Sequence, residues 1–251
     1  MTAGGRVAVV TGGGAGIGRA IAERLADDGF KVAVIDIDAA ATDDTASSIG
    51  KAGGTARAYR ADVSDRGQVD SALAAIRTDL GPVAVVVANA AIARQQPFLD
   101  MTAEQWDRTL AINLTGTFNV VQSALSDLVG AGWGRVVLIS SSSAQRGAPR
   151  MAHYAASKGG QMGLAKALAV EFAKAGVTVN TVAPSSIDTP SVRKKRETGA
   201  IPSAEEMAKF IPVGRTGTGE DIAAAVSYLV SDEASYVTGQ TVSVNGGSFI
   251  G

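Results

Sequence analysis

The chain has 251 residues, and 23 Lys plus Arg against 24 Asp plus Glu give a net charge of −1. That balance leaves no electrostatic footprint for nucleic acid or an anionic membrane. The absence of cysteine excludes disulfides, thiolate catalysis and cysteine-ligated zinc, and a single histidine, His153, argues against a multi-histidine metal site; no metal is expected. Met1–Arg6 lead into a strand-like run without a signal-peptide core, and no apolar stretch nears the ~20 residues of a membrane span. A cytoplasmic protein is therefore expected.

Short Val- and Ile-rich runs bounded by glycine or polar residues predict buried strands at Val7–Val10, Val32–Ile35, Val83–Ala88, Val136–Ile139, Val177–Val182 and Thr241–Val244. Thr55–Arg60 is a weaker strand candidate. Amphipathic segments lie between them, with Leu164, Leu168 and Phe172 on one face and Ile222, Val226 and Leu229 on another. Strands that are apolar throughout, alternating with helices, predict βαβ units and a parallel sheet covered on both sides. No linker, repeat or low-complexity tract interrupts them, so residues 1–251 are expected to form one α/β domain. The stretch 190–212 departs from the rhythm and carries Arg193-Lys194-Lys195-Arg196. It reads either as an active-site lid or as a solvated helical excursion.

The first strand runs into Thr11-Gly12-Gly13-Gly14-Ala15-Gly16-Ile17-Gly18 and then a helix. Glycines let backbone N–H groups approach a pyrophosphate, and the helix N-terminus adds a positive dipole end. The spacing is G-x-x-x-G-x-G on Gly12, Gly16 and Gly18, in the strand–turn–helix setting a dinucleotide site needs. Eighteen residues after Gly18, Asp36 ends the second strand. A carboxylate there accepts from a ribose 2′-OH and repels a 2′-phosphate, which predicts NAD rather than NADP. Asp38 reads as an alternative partner or as a simple helix cap.

Tyr154 and Lys158 are four residues apart, on one face of a helix. A free tyrosine, with a pKa near 10, is a poor base at neutral pH; a nearby ammonium favours the phenolate. The pair is thus a candidate acid/base.

Taken in order, Thr11–Gly18, Asp36, Asp62-Val63, Asn89-Ala90-Ala91, Asn113, Ser140–Ser143, Tyr154–Lys158, Pro184, Ile187 and Thr189 resemble the classical short-chain dehydrogenase/reductase family. The likeness continues through Ile211–Arg215, Glu220–Ile222, Tyr236–Gln240 and Val244–Gly247 and so covers the chain from end to end. It implies a three-layer, Rossmann-type, doubly wound sheet of seven mostly parallel strands with helices on both faces. It also implies an NAD(H)-dependent oxidoreductase that interconverts a secondary alcohol and a ketone by hydride transfer, working as a homotetramer. By this resemblance Tyr154 is the general acid/base, Lys158 binds the nicotinamide ribose and lowers the tyrosine pKa, and Ser141 orients the substrate oxygen. Asn113 holds a water in a proton relay toward Lys158. Gly12, Gly14, Gly16, Ile17 and Gly18 cradle the pyrophosphate, Asp62 and Val63 meet the adenine end, and Asn89, Pro184, Ile187 and Thr189 complete the cofactor site.

Two departures stand out. Ala88-Asn89-Ala90-Ala91 replaces the family's Asn-Asn-Ala-Gly, and Ser185 follows Pro184 where a glycine is usual. If that glycine supplies a positive φ, Ser185 carries strain. A 3-oxoacyl-thioester reductase and a non-catalytic nucleotide sensor are the alternative readings. The basic run Arg193–Arg196 fits either an anionic substrate or a solvated face.

Overall fold

A computed structural model describes residues 4–250. Seven strands form one parallel sheet in the order β3-β2-β1-β4-β5-β6-β7. They are β1 (Val7–Thr11), β2 (Lys31–Asp36), β3 (Thr55–Arg60), β4 (Val83–Ala88), β5 (Gly134–Ile139), β6 (Val177–Pro184) and β7 (Thr241–Val244). The weak strand candidate is a full member, because β2 supplies its whole hydrogen-bonding edge from Lys31 to Asp36.

Each central strand serves two cores at once. Val7 and Val9 of β1 pack on one side while Ala8 and Val10 pack on the other, and Val136 and Val137 divide the same way on β5. That period of two, with both faces apolar, is what makes these strands read as unbroken Val/Ile runs. One face is covered by α3 (Arg66–Asp79), α5 (Gly116–Gly130) and α7 (Ala152–Phe172), through Leu73, Leu128 and Ala165. The other is covered by α1 (Gly16–Asp27), α2 (Ala39–Lys51) and α10 (Gly219–Val230), through Ile21, Ile49 and Ile222. The result is a three-layer, doubly wound sheet of the Rossmann type.

Helix α7 differs from the expected pattern. Leu164, Leu168 and Phe172 are only partly buried, whereas the fully buried stripe is Ser157, Gln161, Ala165 and Ala169. Small and hydrogen-bonded side chains let the helix lie close to the sheet, and the leucines flank that seam.

Strand order reverses between β1 and β4, and an open α/β sheet binds ligands in the crevice beyond its carboxyl edge there. Four short helices surround this edge: α4 (Ala103–Leu110), α6 (Ser142–Arg146), α8 (Pro190–Glu197) and α9 (Ala204–Ala208). Between α4 and α5 a π-turn, Ala111–Thr115, carries Asn113. No described helix is long and apolar enough to cross a membrane.

Candidate active site

A cleft of about 710 Å³ opens at the switch point and gathers residues from β2, β5, β6 and α7 and from the turns that follow β1 and β4. The glycine turn forms one end. Gly12 has φ +63°, and a Cβ on it would lie 2.8 Å from Asn89 Nδ2; a Cβ on Gly18 would sit on the Gly12 carbonyl oxygen. Neither position tolerates a side chain, so the backbone stays bare where a pyrophosphate would approach. Asn89 holds this turn from outside: its Nδ2 donates to the carbonyls of Thr11 (3.0 Å) and Gly12 (3.1 Å).

At the end of β2, Asp36 Oδ2 accepts from Gly14 N–H at 3.1 Å and Oδ1 accepts from Asp38 N–H at 3.2 Å. The carboxylate is thereby aimed along the cleft wall. Asp38 caps α2 through Ala41 N–H, which settles its role as a cap. Asp62 accepts from the backbone and hydroxyl of Ser64 and lies 3.4 Å from Arg108. Burial alone would raise its pKa, but these partners outweigh it and the net shift is downward. Val63 is buried against Gly116. Pro184, Ile187 and Thr189 line the opposite wall, where Thr189 caps α8.

The cradle that only glycine fits, the helix N-terminus behind it and the aimed Asp36 carboxylate together suit a nicotinamide dinucleotide. Gly12, Gly16, Ile17, Asp36, Asp62, Val63, Asn89, Pro184, Ile187 and Thr189 all line the cleft. Gly14 reaches it through its bond to Asp36, and Gly18 through the close passage of the Gly12 carbonyl.

At the far end Tyr154 and Ser141 line the cleft together. Burial raises the Tyr154 pKa, and the nearby Ser141 hydroxyl acts against that rise. Lys158 is 1% exposed and its Nζ lies 5.8 Å from the centre of the Tyr154 ring. Burial pushes the lysine down to about 7. Desolvation dominates both groups.

The comparisons with known proteins agree with this geometry. A family profile described as enoyl-(acyl carrier protein) reductase matches residues 12–248. The chain is 41% identical to acetoacetyl-CoA reductase of Rhizobium meliloti, over 97% of this chain and 98% of that one. The chain belongs to the short-chain dehydrogenase/reductase family. This short-chain dehydrogenase/reductase is also 39% identical to the 3-oxoacyl-[acyl-carrier-protein] reductase MabA of Mycobacterium bovis, over 98% and 94% of the two chains. A variant of actinorhodin polyketide ketoreductase solved with NADPH superposes with a TM-score of 0.94 at 32% identity, covering 99% of both chains.

Two details of the site depart from expectation. The positive φ falls on Ser186 (+52°) and not on Ser185, because Ser186 turns the chain out of β6 and its carbonyl accepts from Gly217 N–H. Asn113 spends its side chain on both backbone groups of Ile92 and on Ser157 Oγ. Its carbonyl accepts from Gln161 Nε2 at 2.8 Å. Sequence reasoning missed Gln161. The available signal was a glutamine on the inward stripe of α7, three residues beyond Lys158.

Proposed function

We propose that this enzyme interconverts a 3-oxoacyl thioester and the corresponding 3-hydroxyacyl thioester, with NAD(H) as its cofactor. The observation that carries the chemistry is that Ser141, Tyr154 and Lys158 all line one cleft, so that two hydroxyls and an amine can serve one ketone. A bound nicotinamide dinucleotide supplies or accepts the hydride. Tyr154 keeps its proton at neutral pH and donates it to the ketone oxygen during reduction; Ser141 orients that oxygen. Lys158 would offer an N–H to the ribose of a bound cofactor, and Asn113 holds the π-turn behind it. Asp36 would accept from the adenosine ribose, the glycine turn would receive the pyrophosphate, Asp62 and Val63 would hold the adenine end, and Ile187 and Thr189 would hold the carboxamide.

The thioester reading is supported by the names of the relatives and by charge at the cleft rim. In the basic run, Arg193 and Arg196 are both engaged by Asp188. Lys195 and Arg146 line the cleft, are exposed, and form no ion pair among the described residues. Unpaired cations on two sides of one mouth suit the phosphates of a coenzyme A ester. Arg146→Ala and Lys195→Ala are expected to raise KM for a CoA thioester several-fold with kcat unchanged. That difference should fade at high salt, and salt-independent KM values would remove the rim from the reading.

Initial rates with acetoacetyl-CoA and NADH or NADPH test the whole proposal. Turnover is expected, with NADH preferred about tenfold or more and the preference eroded in Asp36→Ala. Preference for NADPH would overturn the cofactor assignment. Reduction of a 2-enoyl thioester alone would overturn the ketone assignment, and cofactor binding without any turnover would favour the nucleotide-sensing alternative. The lid role of 190–212 and a homotetramer belong to the same reading; exposed Phe118 on α5 and Val170 on α7 offer apolar surface for the latter.

A further inference from the structure

Gln161 is fully buried on α7. Its Nε2 donates to the Asn113 carbonyl at 2.8 Å and to Thr117 Oγ1 at 2.7 Å, and its Oε1 accepts from Lys158 Nζ at 3.3 Å. These partners fix its orientation. A flipped amide would set an NH2 against an ammonium and an oxygen against a carbonyl, two like pairs. A buried glutamine must be satisfied or it destabilises the core, and this one is satisfied only because Lys158 and the π-turn both meet it.

Viewed from the lysine, the arrangement is a clamp. Lys158 Nζ donates to the Ile139 carbonyl at 2.6 Å and to Gln161, which fixes two of its three N–H groups and leaves one for the cleft it lines. The elements packed around Nζ bring no countercharge. β5 offers the Ile139 carbonyl, the π-turn and α5 offer Asn113 and Thr117, and Tyr154 on α7 is the one titratable neighbour among the described residues.

We propose that Gln161 is a positioning residue for Lys158, holding the ammonium against the Ile139 carbonyl and tying that clamp to the π-turn at Asn113. It deepens the acid/base reading of the site and rests on it. The clamp matters because burial leaves Lys158 close to losing its proton. Each acceptor that faces the nitrogen favours the charged form, so the carboxamide oxygen keeps the lysine cationic over more of the neutral range.

The experiment follows the Lys158 titration directly, by side-chain NMR of the lysine ammonium and ε-carbon in the protein without substrate. The signal is assigned by its loss in Lys158→Met. Gln161→Leu and Gln161→Glu both lose the donations to Asn113 and Thr117, and glutamate also sets an oxygen against the Asn113 carbonyl. They differ at the lysine: leucine removes its acceptor, and glutamate replaces it with a carboxylate. The Lys158 midpoint is expected to fall in Gln161→Leu and to rise in Gln161→Glu. In parallel, kcat/KM for ketone reduction in Gln161→Leu should drop about tenfold at neutral pH and recover at lower pH, where the lysine regains its proton. Gln161→Met, unbranched and similar in length, repeats the leucine result if that variant folds poorly. Midpoints unchanged in the variants, or shifted the same way by leucine and glutamate, would reduce Gln161 to a packing residue. The NMR readout needs no substrate, so an enzyme inactive on thioesters would still decide the matter.

Discussion

Tyr154→Phe is expected to lower kcat by about 10²–10⁴-fold while cofactor affinity stays within a few-fold of wild type. The substitution deletes one oxygen and keeps the ring that packs at the start of α7, so the cleft retains its shape. What disappears is the proton donor. Ser141 remains within reach of the substrate oxygen, but its hydroxyl also accepts from Ser143 N–H as the cap of α6, and a serine at neutral pH is far too weak an acid to replace a phenol. The loss should appear in kcat and in kcat/KM alike, the pattern of an interaction made mainly in the transition state. Turnover within a few-fold of wild type would mean that another group delivers the proton. Fluorescence quenching by NADH measures the retained binding separately and distinguishes a chemical defect from a folding one.

The elements most legible in the sequence were the strands, whose short runs are bounded by glycine or polar residues. β4 and β7 lie where the Val-rich runs placed them, and even β3, polar on its outer edge, begins and ends as expected. The glycine turn was readable because its spacing has a steric cause at Gly12 and Gly18. Three features were not legible, for one reason. The positive φ at Ser186, the buried polar stripe of α7 and the clamp on Lys158 depend on which distant backbone groups meet each residue. Gln161 touches the lysine three residues away, but its other partners come from 44 and 48 residues earlier in the chain. Local periodicity marks Leu164, Leu168 and Phe172 as the inward face and passes over the adjacent stripe that holds Gln161. It does not reveal that the Asn113 carbonyl waits there.

The same burial that tunes Lys158 predicts a stability effect of opposite sign to its catalytic one. A fall from 10.5 to about 7 means that folding disfavours the ammonium. At about 1.4 kcal/mol for each tenfold change in proton affinity, the charged lysine costs on the order of 5 kcal/mol at acid pH. Lys158→Met removes that burden but strips the Ile139 carbonyl and Gln161 Oε1 of a donor, which costs about 1–3 kcal/mol. The first effect wins. The inactive Lys158→Met protein is expected to be roughly 2 kcal/mol more stable than wild type at or below neutral pH, a rise in Tm of about 4–8 °C. Because the folded pKa lies below the unfolded one, the unfolded chain binds more protons between pH 7 and 10.5, and wild-type stability climbs with pH across that window. Above it the lysine is neutral in both states and keeps its hydrogen bonds, so the order of stabilities should reverse. Thermal melts of the two proteins from pH 6 to 10.5 would show the curves converging and crossing. A difference that stays flat with pH would mean that Lys158 is not held at a depressed pKa, and the tyrosine would then work beside a permanent cation.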